Sequence, residues 1–136
     1  MIFIDTSYLL ALLNSGDSLN ARAVAWSRVI EDRLLITEYV LVEAVDGLSA
    51  PIERPAIHQM VESIRARDRW HLIPASSEWF DAGLKLHADR ADKYWSLTDC
   101  ISFAVMQQFI ARRALTYDHH FEQAGFEALL RYDPPR

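Results

Sequence analysis

Cysteine is nearly absent from this sequence of 136 residues, which contains only Cys100. A single cysteine forms no disulfide within the chain and no thiolate metal cluster, so a disulfide scaffold is excluded. Apolar runs of about 18 residues are also missing, which argues against a transmembrane helix. The first residues have no basic segment ahead of an apolar one, unlike a signal peptide. We therefore expect a cytoplasmic protein with no membrane partner.

Lysine is scarce too, because 12 of the 14 basic residues are arginine. Nineteen acids outnumber them and leave a formal charge of −5, which argues against a protein that coats nucleic acid through charge alone. Arginine is nevertheless the side chain best suited to bidentate contact with phosphate. If four carboxylates bind a cation, the rest of the chain is close to neutral. An acidic chain is therefore compatible with a phosphate substrate reached through a bound cation.

Apolar residues make up 51% of the chain, enough for a sizeable core, and the length suits one domain. Short apolar runs predict strands over residues 1–4, 34–37, 70–74, 114–116 and 126–130. Longer stretches with helical periodicity predict helices over residues 6–13, 17–32, 39–48, 55–67, 78–88 and from 96 onward. This alternation predicts an α/β fold, in which helices cover both faces of a parallel sheet.

Four acids lie close to the carboxyl ends of predicted strands, where parallel sheets place their active sites. Asp5 directly follows the first strand, and Asp118 comes two residues after the fourth. Glu43 lies in the helix after the second strand, and Asp99 in the first turn of the helix that starts at Ser96. Each acid alone could be a helix cap or a turn residue. Together they predict one site, because carboxylates this close repel unless a cation lies between them.

The donor atoms of this site indicate which cation it takes. Carboxylate oxygens, without cysteine or histidines at zinc-ligand spacing, favour Mg²⁺ or Mn²⁺ over Zn²⁺. His119 and His120 follow the last acid, and a contact with RNA or metal stays open for them; an exposed pair that shapes the turn is the simpler interpretation. Asp46 lies one helical turn after Glu43 and is left out of the predicted set. Cys100 is interpreted as a core residue.

Four motifs, in order along essentially the whole chain, resemble those of the PIN-domain ribonucleases. They are Phe3-Ile4-Asp5-Thr6-Ser7, Leu41-Val42-Glu43-Ala44-Val45, Ser96-Leu97-Thr98-Asp99-Cys100, and Ala114-Leu115-Thr116-Tyr117-Asp118-His119-His120-Phe121 with Gly125 after it. The sequence is most similar to the VapC-type toxins of bacterial and archaeal type II toxin–antitoxin systems. The resemblance implies a single PIN domain over residues 1–136. Its parallel sheet would have about five strands in the order 3-2-1-4-5.

The resemblance also implies a chemistry and partners for the site. Mg²⁺ or Mn²⁺ would be held by the four catalytic acids, Asp5, Glu43, Asp99 and Asp118. Thr6 and Thr116 would be polar neighbours of the metal. Water would attack a phosphodiester of RNA in line and leave a 3′-hydroxyl and a 5′-phosphate. The implied partners are the RNA substrate, a cognate antitoxin protein and a second copy of the chain in a homodimer.

Two sets of apolar residues are candidates for contacts with these partners. Tyr8, Leu9, Leu12 and Trp26 either form an exposed surface for the second copy or the antitoxin, or belong to the core. Trp95, just before the helix that starts at Ser96, is the aromatic side chain expected to face RNA.

Three other functions stay open. A housekeeping PIN nuclease in RNA processing would carry the same site without the gene neighbour of a toxin. A phosphohydrolase would use Asp5 as its nucleophile, but Thr6 and Ser7 follow it, so no second acid lies two residues on. An inactive PIN domain that only binds its partners is disfavoured because all four acids are present.

Overall fold

The computed structural model describes residues 1–136, and a sheet of five parallel strands lies at its centre. The strands are β1 (Ile2–Ile4), β2 (Leu34–Thr37), β3 (Trp70–Ile73), β4 (Arg113–Leu115) and β5 (Glu127–Ala128). Their order is β3-β2-β1-β4-β5, and every neighbouring pair is parallel. All five carboxyl ends therefore meet at one edge of the sheet. The predicted α/β class, strand number and strand order are confirmed.

The central strand, β1, shows why these short apolar runs become strands. Ile2, Phe3 and Ile4 are all fully buried. Because successive strand residues point to opposite faces, their complete burial means that both faces of the sheet are covered. Ile2 aligns with Leu34 of β2 on one side, and Ile4 aligns with Leu115 of β4 on the other. This register fixes where each strand ends, and so where the residue after it stands.

Seven helices surround the sheet. They are α1 (Thr6–Leu13), α2 (Asn20–Val29), α3 (Glu38–Gly47), α4 (Arg54–Ala66), α5 (Ser77–Asp89), α6 (Leu97–Gln108) and α7 (His119–Gln123). Helix α1 packs against α2 and α3, α3 packs against α4, and α5 packs against α6. A cluster of 31 buried apolar residues joins the sheet and the helices into one core. None of the helices combines the length and the apolar character needed to cross a bilayer.

The α5–α6 contact depends on a residue without a side chain. Gly83 is the buried residue of α5, and a Cβ atom placed on it would lie 2.3 Å from Cγ1 of Ile101 in α6. The two helices therefore approach more closely than any larger residue at position 83 allows.

Some predicted boundaries are wrong, and local hydrogen bonds explain why. Helix α2 was expected over residues 17–32, but Oδ1 of Asp17 accepts from the backbone N–H of Leu19 and closes a turn ahead of the helix. The helix then starts at Asn20 without a side-chain cap. The fifth strand was expected over residues 126–130, but it has two residues, and a short 3₁₀ helix, Leu129–Arg131, follows it.

Candidate active site

The four predicted acids line one open pocket of about 420 Å³ at the carboxyl edge of the sheet. Asp5 stands directly after β1, and Asp118 is the N-cap residue of α7. Glu43 projects from the middle of α3, and Asp99 from the first turn of α6. The structure therefore brings together residues that are far apart in the sequence, as their positions after the strands predicted.

Asp5 is the most deeply placed of the four acids, with 8% of its surface exposed. It occupies the N-cap position of α1, but its side chain makes no capping hydrogen bond. Instead, its Oδ2 accepts from the hydroxyl of Ser7 at 3.0 Å and from that of Thr116 at 2.8 Å. The carboxylate is therefore held by two hydroxyl side chains and not by a capping hydrogen bond.

Burial dominates the acid–base behaviour of Asp5. Burial, with a smaller contribution from the charge of Asp99, raises the pKa of this carboxyl from 3.8 to about 6, even though the hydrogen bonds from Thr116 and Ser7 lower it. A buried carboxylate gains when a cation lies beside it, because the cation favours the ionised form. The position of Asp5 therefore suits a metal ligand better than a purely structural acid.

Hydrogen bonds also hold the other three acids. Glu43 Oε1 accepts from the Thr6 hydroxyl at 2.8 Å. Asp99 Oδ2 accepts from the backbone N–H of Ser96 at 3.1 Å, which completes a capping box at the start of α6. Asp118 Oδ1 accepts from a backbone N–H in the first turn of α7 at 2.9 Å. Asp99 and Asp118 therefore each cap a helix and also line the shared pocket.

These side-chain and capping hydrogen bonds reach only one oxygen of each acid. The oxygens engaged are Oδ2 of Asp5, Oε1 of Glu43, Oδ2 of Asp99 and Oδ1 of Asp118. The second oxygen of each carboxylate has no such partner, and no lysine or arginine lines the pocket. Four oxygens with unused acceptor capacity, with no ammonium or guanidinium group in the pocket wall, are the ligand type that a hard divalent cation takes. As placed, no three of the four carboxylates lie within 4.8 Å of one another; the group that does is Asp118 with His119 and His120. A shared cation would therefore draw the carboxylates closer together.

Both predicted threonines contact the acids. Thr116 is fully buried, and besides donating to Asp5 its hydroxyl accepts from the backbone N–H of Asp118 at 3.0 Å. Thr6 donates to Glu43 from the first turn of α1. Sequence reasoning missed Ser7, whose hydroxyl donates to Asp5 and accepts from a backbone N–H after β4 at 3.2 Å. The sequence could have indicated Ser7, because it lies one residue after Thr6 in the first turn of α1, which begins at the pocket.

The two adjacent histidines have different environments. The His120 side chain is 19% exposed and lines the pocket, and its Nδ1 lies 3.1 Å from Oδ2 of Asp99. The His119 side chain is 61% exposed and is not part of the pocket wall. The interpretation as an exposed turn pair therefore holds for His119 and is wrong for His120. Both residues belong to α7.

The aromatic residue expected to face RNA is also corrected. Trp95 is 5% exposed, and its indole N–H donates to Oε1 of Gln123, so it belongs to the core. Tyr94, one residue earlier, is 94% exposed and lines the pocket. Asp46 lines a separate groove between α3 and α4, which agrees with its omission from the acid set. Cys100 is fully buried, as predicted, and burial raises the pKa of its thiol.

The apolar residues of the first two helices are mostly core. Tyr8, Leu9 and Trp26 are buried, and Leu12 is partly buried against the same core. Of the two interpretations of these residues, an exposed surface for partners is therefore wrong, and a role in the core is right.

Comparison with known proteins gives a family and two similar folds. The family model for the PIN domain matches residues 2–127. VapC20 of Mycobacterium tuberculosis, a sarcin-ricin loop cleaving toxin, has a TM-score of 0.83 and 24% identity, with 93% of this chain and 96% of that one covered. FitAcB from Neisseria gonorrhoeae has a TM-score of 0.65 and 18% identity, with coverage of 94% and 95%. No curated protein matches the sequence significantly. At these identities, the two structures establish a shared fold.

Proposed function

The chain belongs to the PIN-domain family, and we propose that it is a metal-dependent endoribonuclease that acts as the toxin of a toxin–antitoxin pair. One observation carries the nuclease part: four carboxylates from separate elements line one pocket, and each keeps an oxygen free of side-chain and capping hydrogen bonds. The similarity in fold to VapC20, a sarcin-ricin loop cleaving toxin, supports the toxin part.

Mg²⁺ or Mn²⁺ is the cofactor that this set of oxygen ligands suits best. The residues proposed to hold it are Asp5, Glu43, Asp99 and Asp118. When bound, such a cation lowers the pKa of a water molecule and neutralises charge on a phosphodiester. The proposed reaction is in-line attack of water on RNA, which leaves a 3′-hydroxyl and a 5′-phosphate.

The protein's own contribution is to fix the acids before the substrate arrives. Asp5 stands at the end of the central strand, and the hydroxyls of Ser7 and Thr116 set the orientation of its carboxylate. Thr6 does the same for Glu43 across the contact between α1 and α3. Groups that are already oriented need no reorganisation during the reaction, and electrostatic stabilisation by such groups is usually the largest single contribution to catalysis.

The composition of the pocket wall also bears on the substrate. The wall offers no basic side chain for phosphate other than His120, so phosphate would reach the acids through the bound cation. Tyr94 presents an almost wholly exposed ring at the same pocket. An exposed aromatic ring stacks on a base that is not paired. We therefore propose unpaired RNA, in a loop or a single strand, as the substrate.

Two protein partners follow from the proposed role as a toxin. The first is a cognate antitoxin encoded beside this chain, with a segment that covers the acidic pocket. The second is another copy of the chain in a homodimer. Its contact surface is not the set of apolar residues first suggested, because those residues are buried or partly buried.

The decisive experiment is to incubate the purified protein with total RNA and map the new ends. We expect cleavage with Mg²⁺ or Mn²⁺, none with EDTA, and 5′-phosphates at the new ends. Glu43→Gln should lose activity, whereas Asp46→Asn, which removes an exposed acid one helical turn away, should keep it. Equal cleavage in EDTA and in Mg²⁺ would contradict the metal-dependent mechanism.

A genetic experiment separates a toxin from a housekeeping nuclease. Expression of this chain alone should slow growth, and co-expression of the neighbouring gene should restore it. Glu43→Gln should be harmless at the same protein level. A chain that cuts RNA in vitro but leaves growth unchanged would support the housekeeping alternative.

A further inference from the structure

His120 is the only side chain with a nitrogen atom among the residues that line the acidic pocket. Its Nδ1 lies 3.1 Å from Oδ2 of Asp99 and 3.4 Å from Oδ1 of Asp118. These two acids come from different helices, α6 and α7, and the imidazole lies between them. No other side chain contacts both of them by hydrogen bond or ion pair.

The position of the ring follows from the start of α7. Asp118 is the N-cap residue, and its Oδ1 accepts from the backbone N–H of His120 at 2.9 Å. This bond fixes the backbone of the first turn and so directs the side chain at position 120 toward α6. The side chain at position 119 is largely exposed, and its Nδ1 lies 3.7 Å from Oδ1 of Asp118, with no contact to Asp99. The sequence pair His-His thus provides one residue between the two acids and one that is mostly in solvent beside Asp118.

The hydrogen bond to Asp99 defines what the imidazole does. A carboxylate only accepts, so Nδ1 carries the proton and donates to Oδ2 of Asp99. That oxygen also accepts from the backbone N–H of Ser96. With two donors on Oδ2, the carboxylate of Asp99 cannot turn easily, and its Oδ1 stays available. Nε2 of His120 has no hydrogen-bond partner and keeps access to solvent.

We propose that His120 is a positioning residue, which holds the carboxylates of Asp99 and Asp118 in the arrangement that accepts the divalent cation. The inference rests on the proposed function, since it assigns a role toward the metal that the four acids are proposed to bind. In metal sites, groups that hydrogen-bond to the ligands typically change metal affinity by about 10- to 100-fold when they are removed. An effect of that size at His120 is measurable without RNA.

The test is calorimetric titration of Mn²⁺ into the RNA-free protein, with variants that move or remove one donor. His120→Ala removes the donor, and we expect it to raise the dissociation constant at least about tenfold. His120→Asn places an amide N–H where Nδ1 lies and should bind Mn²⁺ within about threefold of wild type. His120→Gln places its N–H where Nε2 lies and should bind as weakly as His120→Ala. The comparison variant, His119→Ala, removes a longer and more exposed contact with Asp118 and none with Asp99, so its loss of affinity should be much smaller than that of His120→Ala.

Cleavage assays on the same variants add a second readout. If His120 acts through the metal ligands, a higher Mn²⁺ concentration should restore the kcat of His120→Ala, and KM for RNA should change little. Circular dichroism should show that each variant is folded. If His120→Ala is unstable, the Mn²⁺ affinities of His120→Asn and His120→Gln can still be compared with each other.

The outcomes separate this proposal from the proposed function. If wild-type protein binds no Mn²⁺, the metal-dependent function itself fails. If wild type binds Mn²⁺ and His120→Ala binds it equally well, the function stands and the role of His120 is wrong. Equal losses in His119→Ala and His120→Ala, or equal affinities of the Asn and Gln variants, would likewise overturn the positioning role, because they would show no dependence on the Nδ1 contact.

Discussion

The α5–α6 helix pair and the acidic pocket have opposite effects on the stability of the folded protein. In the helix pair, Gly83 lies so close to Ile101 that the contact leaves no room for one more methyl group. In the pocket, Asp5 is buried beside other acids, and burial raises its pKa to about 6. The helix pair is a region where packing favours the folded state, whereas the pocket is a region where the folded state carries a cost.

This difference separates residues that stabilise the fold from residues whose placement costs stability. A buried carboxylate destabilises the metal-free protein, because its ionised form has lost water without gaining a cation. A cluster of 31 buried apolar residues supplies the free energy that offsets this cost. Removal of a pocket acid should therefore lower activity without destabilising the metal-free fold at neutral pH, and overpacking in the helix pair should lower stability without lowering activity per folded molecule.

The largest expected effect is that of Asp5→Asn on RNA cleavage. The substitution keeps the shape of the side chain and removes one charge from the proposed metal site. We expect cleavage to fall by at least about a hundredfold, the usual scale for the loss of one preorganised electrostatic group. The measurement is cleavage of a long RNA in Mg²⁺, with circular dichroism as the folding control. Full activity of a folded Asp5→Asn variant would rule out the four-acid mechanism.

The next effect is on the pH dependence of stability in EDTA. The pKa of Asp5 is about 6 in the folded protein against 3.8 for an ordinary aspartate, so the folded state binds this proton more tightly. The stabilisation is complete below about pH 4 and is lost as the pH rises through 6. Relative to Asp5→Asn, wild type should lose about 2–2.5 kcal/mol between pH 4 and 7. Urea unfolding of both proteins at each pH measures the difference.

Saturating Mn²⁺ is the control for this comparison. A bound cation favours the ionised form of Asp5, so the difference between wild type and variant at pH 7 should shrink or reverse when the metal is added. Parallel stability profiles for the two proteins in EDTA would mean that Asp5 ionises in the folded state as an ordinary aspartate does.

Features set by short-range patterns could be predicted from the sequence. The run Leu34–Thr37 forms β2 with the predicted boundaries, because an apolar run too short for a helix usually forms a buried strand. The positions of Asp5 and Asp118 just after strands placed them at one edge of the sheet, because parallel strands share that edge.

Features set by contacts between distant residues could not be predicted. Trp95 packs against Phe103 in the core and donates its indole N–H to Gln123, 28 positions further along the chain, whereas its neighbour Tyr94 is exposed. No periodicity exists in such a short loop to tell the two apart. The same holds for His119 and His120, whose different environments depend on how the first turn of α7 is placed beside α6.

The smallest expected effect is that of Gly83→Ala on stability. The new Cβ would lie 2.3 Å from Cγ1 of Ile101 and 3.3 Å from its backbone nitrogen, so α5 and α6 must separate slightly. Overpacking of this kind costs about 1–3 kcal/mol. Alanine returns up to about 1 kcal/mol through its higher helix propensity. We expect a net loss of about 1–2 kcal/mol in the free energy of unfolding.

Gly47→Ala is the matched control, since it makes the same substitution at the end of α3. There the nearest atom is the terminal Cδ2 of Leu10 at 3.0 Å, which can rotate away, so stability should change little. Urea denaturation measures both variants, and RNA cleavage per folded molecule should stay at the wild-type level in Gly83→Ala. If that variant instead kept its stability and lost activity, α5 and α6 would belong to the catalytic apparatus. The helix pair would then serve catalysis as well as stability, and the two regions would not differ in role.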